Sequence, residues 1–175
     1  MPELTEIRWH ARAGQGAKTA AQLLALALLR SGKSVQAFPE YGPERRGAPV
    51  RAYTRVSDRP IRRHDSITEP DVVVVLEPSQ VGEAEGLAAD GLLLVNAEER
   101  PAGLNGARVV CVPATKLAAA SGSKFANVVM LGAVAAALGE PPLEELQDAA
   151  AELLGKKADA DDVRAAVAEG YAWLS

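Results

Sequence analysis

Residues 72–76 read Val-Val-Val-Val-Leu, five apolar positions in succession. A run so short and so rich in β-branched side chains is a strand apolar on both faces. Burial of both faces requires covering layers above and below a parallel sheet. Residues 92–95 and 109–112 repeat the pattern, and each run ends on a break: Glu77-Pro78, Asn96 and Pro113. Three such strands already point to an α/β arrangement.

The remaining elements are read around these three. Residues 7–10 alternate, with Ile7 and Trp9 set against Arg8 and His10, and form a first strand. A turn with Gly14, Gln15 and Gly16 follows, then a helix over 17–31 that Gly32 stops. Leu23, Leu24, Leu26, Leu28 and Leu29 make this helix apolar nearly all round, which predicts more than one packing neighbour. A second short strand spans 35–38, residues 40–50 are loop-like, and 51–57 alternate as an edge strand. Residues 59–69 are polar and basic.

Residues 116–120 open a helix that breaks at Ser121-Gly122. A strong helix covers 125–138 and is ended by Gly139 with Pro141 and Pro142, and helices over 143–154 and 161–173 complete the chain. No internal repeat interrupts this alternation. It predicts a single α/β domain: doubly wound and Rossmann-like, with a mostly parallel sheet and helices on both faces. Aromatic residues make up only 4% of the 175, so Ala, Leu and Val must build the core.

Several chemistries are disfavoured. A net charge of −4 gives no overall pull toward nucleic acid or anionic lipid. Cys111 is the one cysteine, which leaves no internal disulfide and too few thiolates for an iron–sulfur cluster. It lies in an apolar run and reads as a buried small hydrophobe. His10 and His64 are the only histidines, too few for an ordinary zinc site. The polar start and the lack of any apolar stretch near ~20 residues predict a cytoplasmic protein with no membrane span.

The first turn carries one candidate site. Strand, glycine turn and helix together aim backbone N–H groups at an anion. Gly14, Gln15 and Gly16 form the turn, with Lys18 and Thr19 in the first helical turn. A dinucleotide loop wants three glycines, yet the matching positions are Ala11, Ala13 and Gly16. The acid expected after the second strand has only Glu40 as a candidate. The turn serves either an anion or merely close strand–helix packing.

The loop over 40–50 carries the other. Tyr41, Gly42, Glu44, Arg45, Arg46 and Gly47 stand there beside Glu40, framed by Pro43 and Pro49. Arginines on a constrained loop suit phosphate or carboxylate recognition, because the guanidinium fork binds such groups with two bonds. They equally suit a subunit interface, or a solvated loop of Glu–Arg pairs. Asn127, on the helix over 125–138, reads as a buried, hydrogen-bonded cross-link or as a residue facing a subunit junction.

Taken together, IRWHARAGQGAKTAA, QAFPEYGPERRGAPVRAYTR, PDVVVVLEP and NVVMLGA, in this order and spacing, resemble the gamma subunit of pyruvate-type 2-oxoacid:ferredoxin oxidoreductases. The resemblance covers nearly the whole chain, residues 1–175, as one gamma-type domain. The segment at 40–50 is more similar to the pyruvate and branched-chain types than to 2-oxoglutarate types. Where the family's turn reads Gly-x-Gly-Gly-Gln-Gly, this chain has Ala11 and Ala13.

The resemblance implies a complete enzyme of pyruvate synthase type. It acts on an oxo group with an iron–sulfur protein as acceptor, decarboxylates the 2-oxoacid and hands the acyl group to coenzyme A. Thiamine diphosphate, Mg2+ and the iron–sulfur clusters would sit in alpha, beta and delta-type partner subunits, with ferredoxin served through the complex. This chain would bind none of them alone, would be inactive alone and, isolated, would tend to self-associate. It would help shape the coenzyme A region through Gly14, Gln15, Gly16, Lys18, Thr19, Tyr41, Gly42, Glu44, Arg45, Arg46 and Gly47. The alternatives are a free-standing nucleotide-binding module and a structural adaptor.

Overall fold

The computed structural model describes residues 4–40, 47–83, 85–102, 104 and 108–175. Strands β1 (Leu4–Arg12), β2 (Ser34–Glu40), β3 (Pro49–Ser57), β4 (Val72–Val75), β5 (Leu92–Asn96) and β6 (Arg108–Val112) form one sheet in the order β2-β3-β1-β4-β5-β6. Pairings β1–β4, β4–β5 and β5–β6 are parallel, whereas β3 runs antiparallel to both β1 and β2. The sheet is therefore mixed, with its parallel half on the Val/Leu-rich strands. Among the described residues, five α-helices accompany it: α1 (Ala17–Arg30), α2 (Ala114–Ala120), α3 (Ala126–Leu138), α4 (Leu143–Leu154) and α5 (Ala160–Leu174).

The two faces follow from strand alternation. Ile7, Trp9, Val72, Val74, Leu92 and Leu94 share one core with α1, α3, α4 and α5. Val73, Val75, Leu93 and Val95 point the other way and pack with Val81 of a 3-10 helix, Pro78–Glu83. Helices thus cover both faces, but unequally. The α-helices stack on one face, and the 3-10 turn with irregular chain covers the other.

Local sequence explains the helix ends. Helix α1 closes with Lys33 N–H donating to the Leu28 carbonyl and Gly32 N–H to that of Leu29, while Gly32 takes a φ of 84°. That six-to-one closure needs a left-handed residue, which glycine adopts without steric cost. Asp159 caps α5, its carboxylate accepting from the N–H groups of Asp161 and Asp162 at 2.9 and 3.4 Å. Helices α3 and α5 cross closely enough that a Cβ on Gly170 would overlap the Val129 carbonyl.

Two readings are corrected. Residues 51–57 belong to an inner strand, because β3 bonds β1 on one side and β2 on the other. Its alternation reflects one apolar and one polar buried face, not an open edge. Residues 109–112 do not form a doubly buried strand: β6 is the sheet edge, and Val109, Val110 and Cys111 are half-buried. Burial still pushes the Cys111 thiol pKa up, and the half-exposed Trp173 indole donates to the Cys111 carbonyl at 3.0 Å. Helix α1 packs on β2, β3, α3 and α4, the several neighbours its apolar pattern predicts, and leaves Leu29 56% exposed.

Candidate functional site

Parallel strands end together, and the turns that follow them line a crevice at that edge. Here β1, β4 and β5 end near Gly14, Leu76 and Asn96. Gly14 and Gly16 take φ angles of 96° and 83°. The turn is tied internally: Gln15 N–H donates to the Arg12 carbonyl at 3.1 Å, and Arg12 N–H donates to Gln15 Oε1 at 2.7 Å. Gln15 Nε2 then reaches across to Glu77 Oε2 at 2.9 Å.

Asparagines fasten the other walls. Asn127, 8% exposed, donates to the Gly16 carbonyl at 3.3 Å and so joins the first turn of α3 to that of α1. A Cβ on Gly16 would meet Asn127 Nδ2 at 2.5 Å, so the turn needs glycine both for its φ and for this contact. Asn96 donates to the Leu76 carbonyl at 3.0 Å and to Thr115 Oγ1 at 2.9 Å, and accepts from Thr115 N–H at 3.1 Å. That trio pins β4, β5 and α2 to one another.

Between these walls lies a cavity of about 460 Å³, lined among others by Gly14, Gly16, Thr19, Asn127, Lys124 and Lys157. It continues past Gln15 and Asn96 into a second hollow of about 440 Å³, where Lys116 bonds Glu98 at 2.7 Å. The Glu98 carboxylate raises the Lys116 pKa. The first hollow thus offers two exposed ammonium groups and the N-terminal ends of α1 and α3. Such a combination attracts phosphate or carboxylate.

Of the predicted site residues, Gly14, Gln15, Gly16 and Thr19 line this crevice. Lys18 is exposed on α1 and does not line it. Tyr41, Gly42, Glu44, Arg45 and Arg46 lie outside the described residues, but the end of their loop is placed. Arg12 Nη1 donates to the Gly47 carbonyl at 3.1 Å, and Ala13 N–H donates to the Ala48 carbonyl at 2.9 Å. Arg12 Nη2 also bonds Ser79 Oγ at 3.1 Å. Gly47, the last residue of the second motif, is therefore joined to the first turn by Arg12. Sequence reading missed Arg12, Asn96, Thr115, Lys124 and Lys157. Only the Asn96 break after an apolar strand gave a signal.

A dinucleotide site does not fit this geometry. The Ala13 amide is already used by the loop at Ala48. Strand β3 separates β1 from β2, so Glu40 is held away from the crevice, its carboxylate accepting from the Tyr53 hydroxyl. Among the described residues, no group of three or more His, Cys, Asp or Glu could hold a metal ion. Among the same residues, no helix is long and apolar enough to cross a membrane.

Comparison with known proteins bears on this site. The family model described as pyruvate ferredoxin/flavodoxin oxidoreductase matches residues 6–173. Pyruvate synthase subunit PorC of Thermotoga maritima is 46% identical over 161 residues, covering 87% of this chain and 83% of that protein. The pyruvate/ketoisovalerate oxidoreductases common subunit gamma of Thermococcus kodakarensis is 45% identical over 159 residues, covering 85% and 86%. The crystal structure of pyruvate oxidoreductase subunit PORC from Thermotoga maritima superposes with a TM-score of 0.84 at 38% identity, covering 97% of this chain and 96% of that one. The chain belongs to the pyruvate ferredoxin/flavodoxin oxidoreductase family, as a gamma subunit of a pyruvate or 2-oxoacid:ferredoxin oxidoreductase.

Proposed function

We propose that the crevice between the Gly14–Gly16 turn and the start of α3 receives the phosphate-bearing part of coenzyme A in the assembled enzyme. The observation that carries this reading is the placement of Lys124 and Lys157 on a cavity of about 460 Å³ beside two helix N-termini. Coenzyme A supplies the thiol that accepts the acyl group. This chain's share is to bind and orient. The ammonium groups attract phosphate oxygens, and Asn127 and Asn96 keep the two walls at fixed spacing. Arg45 and Arg46 are the further anion-binding groups of this reading, close in sequence to Gly47, whose carbonyl accepts from Arg12. Whether they bind phosphate or a neighbouring subunit, truncating one that becomes desolvated should cost roughly 2–5 kcal/mol.

With a single cysteine in the chain, the clusters belong to partner subunits of delta type. Thiamine diphosphate and Mg2+ belong to the alpha and beta-type subunits, and ferredoxin meets the complex there. A cytoplasmic site of action goes with this reading. The chain's domain is the gamma-type domain over 1–175, inactive alone.

The test is kinetic, in the reconstituted complex. Lys124→Gln and Lys157→Gln should each raise the KM for coenzyme A by roughly tenfold. The rate at saturating coenzyme A should stay within about twofold, as expected for lost uniform binding. An unchanged KM in both variants, in complexes that assemble normally, would overturn the assignment. The adaptor reading has one observation behind it: Leu29, Leu153 and Trp173 are exposed at 56%, 47% and 49%. It predicts that changing them to Ser blocks assembly while the crevice lysines stay silent.

A further inference from the structure

A third cavity opens on the opposite face of the sheet, away from the coenzyme A crevice. Its volume is about 570 Å³, and Arg8, Glu40, Arg51, Tyr53, Ile67 and Thr68 line it, with the backbone at Gly82 and Gly86. Arg8 is only 6% exposed. A guanidinium buried so deeply normally bonds a carboxylate, because an unpaired charge away from water is costly. Arg8 has no such partner among the described residues. Its Nε donates to His10 Nε2 at 3.0 Å, and its Nη2 donates to the Glu85 carbonyl. Both acceptors are uncharged, since burial, reinforced by Arg8 and Arg51, holds the His10 imidazole neutral down to about pH 4.

Neither acid that lines the cavity forms an ion pair with Arg8, though both act on it through space. Glu40 is near enough to act on Arg8 through space, but its carboxylate takes the Tyr53 hydroxyl. Glu85 offers Arg8 its carbonyl oxygen. Arg51 sits close enough to lower the Arg8 pKa further, as like charges do. Arg55, on the same face, shows the contrast: it is fully buried and bonds the Glu6 carboxylate at 2.7 Å.

The geometry points to an oxyanion site on this face, where a carboxylate or phosphate group enters the cavity and pairs with Arg8. This inference goes beyond the coenzyme A reading and uses none of its residues. The oxyanion has two sources, a free small acid or an acidic side chain of a neighbouring subunit.

The experiment titrates the full chain with inorganic phosphate, and separately with acetate, at constant ionic strength. Binding is read by calorimetry and by amide shifts around residues 8, 51–53 and 66–68. Saturable binding with shifts confined there is expected. Arg8→Met should weaken it by roughly tenfold or more, whereas Arg8→Lys, which keeps the charge, should retain most of it. If Arg8→Met fails to fold, Tyr53→Phe serves instead: it releases the Glu40 carboxylate toward the cavity and should also weaken anion binding. Repeating the titration on the assembled complex separates the sources. Lost binding identifies a neighbour's carboxylate as occupant, and retained binding identifies a free acid. No saturable binding by the unaltered chain, or binding indifferent to both Arg8→Met and Tyr53→Phe, overturns the proposal.

Discussion

Val73 and Arg8 are partners across the β1–β4 pairing, as are Val75 and His10, and all four are buried on the second face of the sheet. On the β4–β5 side, burial is solved with aliphatic side chains under a 3-10 helix. On the β1–β3 side the same depth holds Arg8, His10 and Arg55, with the half-buried Glu6 beside them. Burial depth therefore does not decide residue type here. What decides it is the covering chain. Where the cover is irregular, its backbone carbonyls and polar side chains must be satisfied, so the sheet supplies donors. Arg55 does this fully, donating to Glu6 at 2.7 Å, to Gln36 Oε1 at 3.3 Å and to the Asp65 carbonyl at 2.8 Å, while lying 5.6 Å from the Phe38 ring centre.

The contrast can be broken most directly by exchanging one side's chemistry for the other's. Arg55→Met keeps volume but strands the Glu6 carboxylate, and should cost roughly 3–5 kcal/mol in urea unfolding. Adding Glu6→Met should recover most of that loss. A single-variant cost no larger than that of an aliphatic swap would refute the view that the polar side is held by charge pairing.

Next in size is acid sensitivity. An unfolded His10 takes a proton near pH 6.5, the folded one only near 4. Across that window the unfolded chain binds more protons, so stability falls as pH drops from 6.5 toward 4 and levels off below. The full loss is roughly 3 kcal/mol. His10→Gln should flatten this part of the pH–stability curve. An unaltered slope would mean that His10 titrates alike in the folded and unfolded chain.

Smaller again is Gly16→Ala, expected to cost about 1–3 kcal/mol from the left-handed φ and the clash with Asn127. Thermal melting checks it. Leu94→Met closes the series: at a fully buried position on an apolar strand it should cost under ~1.5 kcal/mol.

How far the sequence told this story depends on which signal each region carries. The parallel half was readable because Val72–Val75 and Leu92–Asn96 advertise two-sided burial directly. The antiparallel half was misplaced, because alternation in residues 51–57 looks the same for an edge strand and for an inner strand whose polar face is buried. Only pairing partners distant in sequence, such as Glu6 and Arg55, separate the two cases. The glycine turn was legible from Gly14 and Gly16. Lys124 and Lys157 were not, since exposed lysines carry no periodic mark and converge only when the start of α3 and the end of α4 fold onto the strand ends.

The most direct test of the account is amide hydrogen exchange on the assembled enzyme, with and without coenzyme A. The account predicts slowed exchange in residues 14–19 and 124–127 when coenzyme A is bound, with residues 72–75 and 92–95 unchanged. Protection confined to the partner subunits, with residues 14–19 and 124–127 indifferent to coenzyme A, would contradict it.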